Sequence, residues 1–309
     1  VSRYGLISYA NSLDKIGPMA RTVEDAALML DVISGSDPLD STSAPEPALN
    51  SSQLFALPSA FSHIPPLKCS IDQTNSLSPS LKNLRIGVIS ETLGEGVDDA
   101  VRKSVLDAVS VLEKQGAVTG ELSLPLTMKY GVAAYYLISM CEASTNLSCL
   151  CGMRYGRHEK LEGTFNEYFS GVRSSHFNLE AKRRIILGTF ARMAGYRDAY
   201  YLKATKVRTR IIDEYKKAFK TCDVLVSPTM PFIAPKFSDI EKLTPLEHFM
   251  ADTMTVGPNL AGIPHISVPC GEKNGLPIGM MLMADHFRED IVVNAAQSLG
   301  DSKGDSNKS

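Results

Sequence analysis

Cysteine is sparse in this sequence, which has six among 309 residues. A secreted domain held together by disulfides needs a denser cysteine framework, so this spacing excludes that class. Twelve methionines and no recognisable secretory signal fit a reducing compartment. We therefore expect an intracellular protein, cytoplasmic in the first instance, with an organelle left open as the alternative.

Long apolar runs and excess charge are also missing. The longest apolar runs, such as 277–284, are far shorter than the roughly 20 residues of a membrane-spanning helix, so a soluble protein with no membrane partner is expected. The net charge of −2 gives no overall attraction to nucleic-acid phosphate. An RNA partner would therefore have to be held by a local patch or by another subunit.

The common signatures of nucleotide binding and hydrolysis are absent too. No glycine loop ends in Lys-Ser or Lys-Thr, and no spaced glycine fingerprint joins a strand to a helix, so ATP is not expected on this chain. The glycines within 258–262 and 275–279 are interpreted as tight turns beside strands. Neither an HExxH pair nor a Gly-x-Ser-x-Gly elbow occurs. A Ser-His-Asp triad cannot be recognised from sequence order, because its members meet only in space.

Four of the cysteines could have a chemical role, as metal ligands or as a nucleophile, instead of only packing in the core. Cys141, Cys149 and Cys151 are close enough in sequence for a zinc site, but no histidine lies at a ligand spacing beside them. Cys270 follows a predicted strand and precedes Gly271, a position where nucleophiles occur. For all four cysteines a buried thiol is the favoured interpretation, and no metal is expected.

Helix and strand patterns alternate along most of the chain. The stretch Thr22-Val-Glu-Asp25 has the form of a capping box, with Gly35 where the helix behind it would end, and Thr244-Pro-Leu-Glu247 has the same form. Apolar residues with a period of 3.6 predict helices, and short apolar runs predict strands. Helices are predicted at 98–114, 126–150, 179–219 and 291–299, and strands at 84–90, 222–228, 265–270 and 276–284. This alternation predicts an α/β fold around a mixed sheet.

Composition predicts one large domain, 1–300, with one polar segment inside it and a second one after it. Serine, proline, asparagine and threonine dominate 37–80, which predicts a surface insertion in that domain. The polar residues 301–309 predict a disordered tail. The first residues, 1–5, have neither an initiator methionine nor a signal-peptide pattern, so we expect this sequence to begin inside a domain.

Several sequence blocks resemble the amidase-signature family. The opening VSRYGLISYANSLDKIGPMARTVEDAALMLDVISGSDPLDST resembles the block that follows the nucleophile in these enzymes. Further blocks are similar to the A subunits of glutamine-dependent tRNA amidotransferases. These blocks are EASTNLSCLCGMRYG, KRRIILGTF, YRDAYYLKATKVR, DVLVSPTMP and NLAGIPHISVPCG. The resemblance covers nearly the whole chain apart from the insertion and the tail.

The resemblance implies a fold and a chemistry. The fold would be the amidase-signature α/β fold, with a mixed central β-sheet flanked by helices on both faces. In this family a Lys, a Ser held by a cis peptide and a nucleophilic Ser form the catalytic triad. All three are expected upstream of Val1, so no catalytic residue is assigned here and the chain alone is expected to be inactive. The implied reaction is hydrolysis of the side-chain amide of glutamine through an acyl-enzyme, which releases ammonia.

The same resemblance implies partners and a substrate site. A B subunit would carry ATP and magnesium and bind tRNA, a small C subunit would wrap the A–B interface, and this chain would need no cofactor. Glutamine has an α-carboxylate and an α-ammonium, which call for a guanidinium and a carboxylate facing one cavity. By resemblance these are Arg184 and Asp252, with Tyr135 or Tyr136 lining the same pocket.

Two other functions remain open from the sequence. A stand-alone amidase of the same family would act on apolar or simple amides without a partner. A non-catalytic fragment would only bind partner subunits. Whether the amidotransferase would act on Glu-tRNA(Gln), Asp-tRNA(Asn) or both is not determined by this chain, because that choice belongs to the tRNA and to the B subunit.

Overall fold

The computed structural model describes residues 1–44 and 81–304. Most of the predicted insertion, 45–80, and the last part of the predicted tail, 305–309, lie outside the described residues. The chain forms two compact units. Unit 1 joins Val1–Tyr4, Lys15–Val132 and Ile211–Ser309, and unit 2 joins Gly5–Asp14 and Ala133–Arg210. One domain is expected from the sequence, and that expectation stays a prediction.

Helices and strands alternate in chain order. The helices of the described part are α1 (Val23–Ile33), α2 (Asp99–Lys114), α3 (Pro125–Asn146), α4 (Phe165–His176), α5 (Leu179–Arg192), α6 (Lys203–Ala218), α7 (Phe237–Ile240), α8 (Pro245–Ala251), α9 (Val256–Ala261) and α10 (Glu289–Gly304). The strands are β1 (Arg85–Ile89), β2 (Val118–Leu122), β3 (Val224–Pro228), β4 (His265–Lys273) and β5 (Leu276–Met283).

The five strands form one mixed sheet in unit 1, in the order β2-β1-β3-β5-β4. Strand β1 pairs in parallel with β2 and β3, whereas β5 pairs antiparallel with both β3 and β4. The central strand β3 is buried along its whole length, which is why its sequence is a continuous apolar run without alternation. The prediction of an α/β fold with a mixed sheet is confirmed.

Helices α2 and α10 cover one face of this sheet. The predicted apolar stripe of α2, from Val101 to Leu112, is buried, and Asp98 caps the helix by accepting a hydrogen bond from the amide of Ala100. Val224 and Val226 of β3 join the same core, because side chains two apart on a strand share a face. Leu225 points to the opposite face and is fully buried too, so the sheet is covered on both faces at β3.

A carboxylate from α6 caps the first turn of α3, within unit 1. The Oε1 and Oε2 atoms of Glu214 accept hydrogen bonds from the amides of Leu126 and Thr127, both at 2.9 Å. The Thr127 hydroxyl also donates to Glu214 Oε2, at 2.6 Å. First-turn amides have no partner inside their own helix, and the positive end of the helix dipole favours an anion. Glu214 therefore links the start of α3 to the end of α6.

Replacing Glu214 with alanine is expected to lower the free energy of unfolding by about 1–3 kcal/mol. Two amides and one buried hydroxyl would lose their acceptor at once. The measurement is urea denaturation. The matched control is Asp213→Ala, since Asp213 is the neighbouring carboxylate on α6, is exposed and caps no helix among the described residues. It should change stability by less than about 0.5 kcal/mol. Equal effects of the two substitutions would contradict the capping role.

Three local predictions differ from the structure. The helix predicted at 179–219 is interrupted between α5 and α6, where Gly195 has a φ of 87° and a short π-helical turn covers Asp198–Leu202. Strand β2 and helices α4, α7 and α9 were not predicted, and residues 258–261, interpreted as a tight turn, form the end of α9 with Gly262 as its C-cap. The last helix continues to Gly304, so the predicted tail begins too early and 301–304 extend α10 instead. The other predicted helices and strands are confirmed to within a few residues.

Candidate functional site

Arg184 lies on α5 in unit 2 and is held by its own helix and by a distant segment. Its Nε donates to Glu180 Oε1 at 2.8 Å, an i to i+4 ion pair within α5. Its Nη1 donates to the hydroxyl of Tyr9 at 2.7 Å. The side chain is only about a quarter exposed, at 26%. An ordinary surface arginine on a helix has the first contact but neither the second nor this burial.

Two tyrosine rings also flank the Arg184 guanidinium. Its central carbon lies 5.5 Å from the ring centroid of Tyr9 and 5.8 Å from that of Tyr136. Both distances are within the range of cation–π attraction, which strengthens as the cation loses water. Tyr136 is buried in α3, and the ring of Tyr135 packs edge-on against it at 5.3 Å. Of the two tyrosines predicted to line the pocket, Tyr136 is the one beside Arg184.

The surroundings keep Arg184 charged. Burial by itself lowers the pKa of the guanidinium, but the hydrogen bonds to Glu180 and Tyr9 outweigh burial and raise the pKa above its usual value. The hydrogen bond from Arg184 likewise lowers the pKa of the Glu180 carboxyl, although burial opposes it. Glu180 also pairs with Arg183 at 2.6 Å. One carboxylate faces two guanidinium groups, so this cluster carries a net positive charge.

The hydrogen bonds of Arg184 leave an anion-binding edge. They use one N–H of Nε and one of Nη1, and Nη2 makes no hydrogen bond within residues 1–44 and 81–304. A guanidinium has five N–H donors, and a carboxylate can accept one from each terminal nitrogen. Arg184 therefore keeps N–H donors that could serve a carboxylate while the existing contacts remain.

A second polar cluster fixes the segment that carries Tyr9. Glu142 of α3 accepts from both the amide and the hydroxyl of Ser12, at 2.9 and 2.6 Å. Arg208 of α6 donates to the Ser12 hydroxyl at 2.6 Å and to its carbonyl at 2.8 Å. Burial lowers the pKa of Arg208, and the nearby Glu142 charge opposes that change. The network ties this segment to α3 and α6 inside unit 2.

A close helix crossing sets the position of Arg184 against α3. A Cβ placed on Gly188 would lie 1.8 Å from the carbonyl oxygen of Met140. Helices α5 and α3 can therefore meet backbone to backbone only because residue 188 has no side chain. Arg184 precedes Gly188 by four residues, and Tyr136 precedes Met140 by four, so each pair shares a helix face. The crossing thereby brings Arg184 beside Tyr136.

The other predicted binding residue, Asp252, belongs to unit 1. It is half-buried at the C-cap of α8, and its carbonyl accepts hydrogen bonds from the amide and hydroxyl of Thr255. Asp252 ends α8 and opens a short 3-10 turn ahead of α9. That Asp252 and Arg184 face one cavity stays a prediction.

The cysteines differ from one another in burial. Cys141 is buried, and burial raises the pKa of its thiol to about 11, so it stays protonated at neutral pH. Cys151 and Cys270 are half-buried and Cys149 is exposed. The expectation of a buried thiol is therefore wrong for Cys149, which follows the end of α3 in a 3-10 turn. Within the described ranges, no group of three His, Cys, Asp or Glu could hold a metal ion.

Sequence reasoning proposed Arg184 and the tyrosine pair but missed Tyr9 and Glu180, which contact Arg184, and the Glu142 and Arg208 contacts to Ser12. Tyr9 lies in the opening block, about 175 positions before Arg184, and no local pattern connects the two. Glu180 had a usable signal, since a glutamate four residues before an arginine is a common helical pair. Glu142 and Arg208 meet Ser12 only through the packing of α3 and α6. In the part of the chain that the structure describes, no helix has the length and apolar character of a membrane span.

Comparison with known proteins gives one family for nearly the whole chain. Residues 1–293 match the family model described as Amidase. The A subunit of glutamyl-tRNA(Gln) amidotransferase from Geobacillus kaustophilus (strain HTA426) is 45% identical over 300 residues, which cover 97% of this chain and 57% of that protein. The protein of the same name from Acaryochloris marina (strain MBIC 11017) is 44% identical over 298 residues, with coverage of 96% and 57%.

Solved structures agree with the sequence comparisons. The crystal structure of the glutamyl-tRNA(Gln) amidotransferase A subunit from Thermotoga maritima is similar with a TM-score of 0.70 at 32% identity, covering 97% of this chain and 55% of that one. A peptide amidase from Stenotrophomonas maltophilia has a TM-score of 0.67 at 23% identity, covering 98% and 56%, and shows the fold alone. The chain spans a little over half the length of these relatives.

Proposed function

This chain belongs to the amidase family, and on that premise we propose that it acts in the glutamine-hydrolysing A subunit of a tRNA-dependent amidotransferase. The observation that carries the proposal is the half-buried Arg184 guanidinium, which has donors left for a carboxylate. Relatives at about 45% identity that are named as this subunit support it. A glutaminase must recognise the α-carboxylate of its substrate, and a guanidinium suits that task.

In the proposed reaction water cleaves the side-chain amide of glutamine to give glutamate and ammonia. A serine would attack the amide carbon and release ammonia, and water would then release glutamate from the acyl-enzyme. We assign no triad residue to positions 1–309. Hydrolysis is therefore proposed to need the lysine and two serines of the family's glycine-rich segments in addition to the residues described. Arg184 would bind the α-carboxylate and Asp252 the α-ammonium.

Ammonia would then serve a second subunit. We propose that a B subunit binds ATP and magnesium, activates Glu-tRNA(Gln), Asp-tRNA(Asn) or both, and accepts the ammonia. A C subunit would stabilise the A–B pair, and tRNA would contact this chain only indirectly. The near-neutral charge of the chain is consistent with tRNA being held elsewhere. The proposed location is the cytoplasm.

A stand-alone amidase is the second candidate, since peptide amidases share this fold. An enzyme for simple amides has no use for a guanidinium with donors left for a carboxylate, whereas a glutaminase requires one. The Arg184 guanidinium, with N–H donors left for a carboxylate, therefore favours the glutaminase.

The full-length protein, co-expressed with its B and C subunits, is expected to form Gln-tRNA or Asn-tRNA from glutamine, ATP and the misacylated tRNA. Glutamine hydrolysis supplies the ammonia, so free glutamate should appear in at least equal amount. The measurement combines native mass, tRNA amidation and glutamate release. A chain of residues 1–309 alone should release no glutamate above background.

Two results would contradict this proposal. If the full-length protein hydrolysed simple amides without a partner and left glutamine untouched, the stand-alone amidase would be correct. If residues 1–309 alone hydrolysed glutamine with a titratable active site, the triad would have to lie within them.

A further inference from the structure

We propose that Tyr9 is a positioning residue that orients Arg184 for an α-carboxylate and so makes the site specific for an amide that carries an α-carboxylate over one that lacks it. This inference rests on the proposed function and adds a specificity determinant to it. Tyr9 is about 175 positions from Arg184 in sequence, yet its hydroxyl accepts from Arg184 Nη1 at 2.7 Å and its ring lies against the guanidinium.

An arginine side chain needs more than a pair on its own helix to hold one orientation. Glu180 alone binds Nε, and a single i to i+4 pair on a helix contributes little to holding a side chain in place. A single contact at Nε also leaves the guanidinium plane able to swing. The Tyr9 hydroxyl holds the other side at Nη1, and the rings of Tyr9 and Tyr136 restrict the plane. Contacts at two nitrogens and from two rings define the orientation.

Tyr9 is itself held at its backbone. Its amide donates to Asp14 Oδ2 at 2.9 Å, and its carbonyl accepts from Asn146 Nδ2 at 3.0 Å. The next residue, Ala10, is fully buried and also donates to the Asp14 carboxylate. The segment is therefore organised before any ligand arrives, which is what a support for a binding group requires.

The chemistry of the support suits an anion site. A tyrosine hydroxyl accepts the N–H of Arg184 without adding negative charge, whereas a second carboxylate would neutralise the cluster. Glu180 is already shared between Arg183 and Arg184, so the cluster keeps its positive charge for a ligand. A neutral hydroxyl that supports a charged guanidinium is expected at a carboxylate site. It has no value for an amide that lacks the α-carboxylate.

The test is Tyr9→Phe in the full-length protein with its partner subunits, assayed on glutamine and on 4-aminobutanamide, which lacks the α-carboxylate. Phenylalanine keeps the ring against Arg184 and removes only the hydroxyl. We expect KM for glutamine to rise about three- to tenfold with kcat nearly unchanged. The kcat/KM for 4-aminobutanamide should stay at the wild-type value. The ratio of kcat/KM for glutamine to kcat/KM for 4-aminobutanamide should therefore fall.

Two variants separate positioning from a purely structural role. Tyr4→Phe is the matched control, because Tyr4 is mostly exposed, and it should leave both substrates unaffected. The double variant Tyr9→Phe/Arg184→Ala should have the same KM for glutamine as Arg184→Ala alone, because Tyr9 acts through Arg184. A structural role would instead lower kcat/KM for both substrates alike and would add to the effect of Arg184→Ala.

The outcomes for Tyr9 and for the proposed function are distinguishable. Wild-type hydrolysis of glutamine with an unchanged KM and substrate preference in Tyr9→Phe would overturn the role of Tyr9 alone. A wild-type protein that leaves glutamine intact would overturn the glutaminase itself, and the inference with it.

Discussion

Replacing Gly188 with alanine is expected to lower the free energy of unfolding of unit 2 by about 3 kcal/mol or more. The added Cβ would lie 1.8 Å from the Met140 carbonyl oxygen and 2.4 Å from its carbonyl carbon. Both atoms are backbone atoms of α3, so neither can move as a side-chain end could. Helix α5 would have to lift from α3, which would also weaken the Arg192 Nη1 hydrogen bond to the Cys141 carbonyl. Chemical denaturation followed by circular dichroism is the measurement.

Gly171→Ala is the matched control for this substitution. Gly171 lies in the exposed interior of α4, also in unit 2, and a Cβ there would meet nothing within 4 Å. Alanine has the higher helix propensity, so this variant should gain about 0.5–1 kcal/mol. If Gly188→Ala were as stable as Gly171→Ala, the backbone contact between α5 and α3 would be wrong.

Arg184→Ala in the full-length enzyme is expected to raise KM for glutamine roughly ten- to a hundredfold. Loss of a charged hydrogen-bonding partner in a partly desolvated site costs about 1.5–3 kcal/mol. The loss should be in binding, because the proposed role of Arg184 is to hold the α-carboxylate and not to break a bond. Asp252→Ala should have an effect of the same size if Asp252 binds the α-ammonium. Steady-state kinetics of glutamate release measures both.

Arg183→Ala is the control that the helix itself provides. Arg183 is adjacent on α5 and pairs with the same Glu180 carboxylate, but no ring contact or distant hydrogen bond of the Tyr9 kind holds it within the described residues. It removes a charge near the site but no contact of Arg184, so it should raise KM for glutamine by no more than about threefold, far less than Arg184→Ala. Amidation driven by added ammonium salt should survive in all three variants, because ammonia would reach the B subunit without glutamine. An unchanged KM in both Arg184→Ala and Asp252→Ala would refute the paired binding site.

Much of the fold could be predicted from local sequence patterns. The stripe of α2, the Thr22 N-cap of α1, the capping box ahead of α8 and the apolar run of β3 all depend on neighbours within a few residues, so their elements were predictable. Strand β2 was not predictable, because its sequence, Val-Thr-Gly-Glu-Leu, has a mostly exposed pattern and a glycine at its centre. Its pairing with β1 forms it, and pairing partners are not visible in a local pattern.

The sequence by itself therefore determined the fold class, the family resemblance and Arg184 as a candidate carboxylate-binding residue. Only the tertiary structure decided that Tyr9 supports Arg184 and that Tyr136, rather than Tyr135, lies beside it. The physical reason is that these contacts join segments far apart in sequence through the crossing of α5 over α3. That crossing depends on the missing side chain of Gly188, and the sequence shows the glycine but not the carbonyl it must approach.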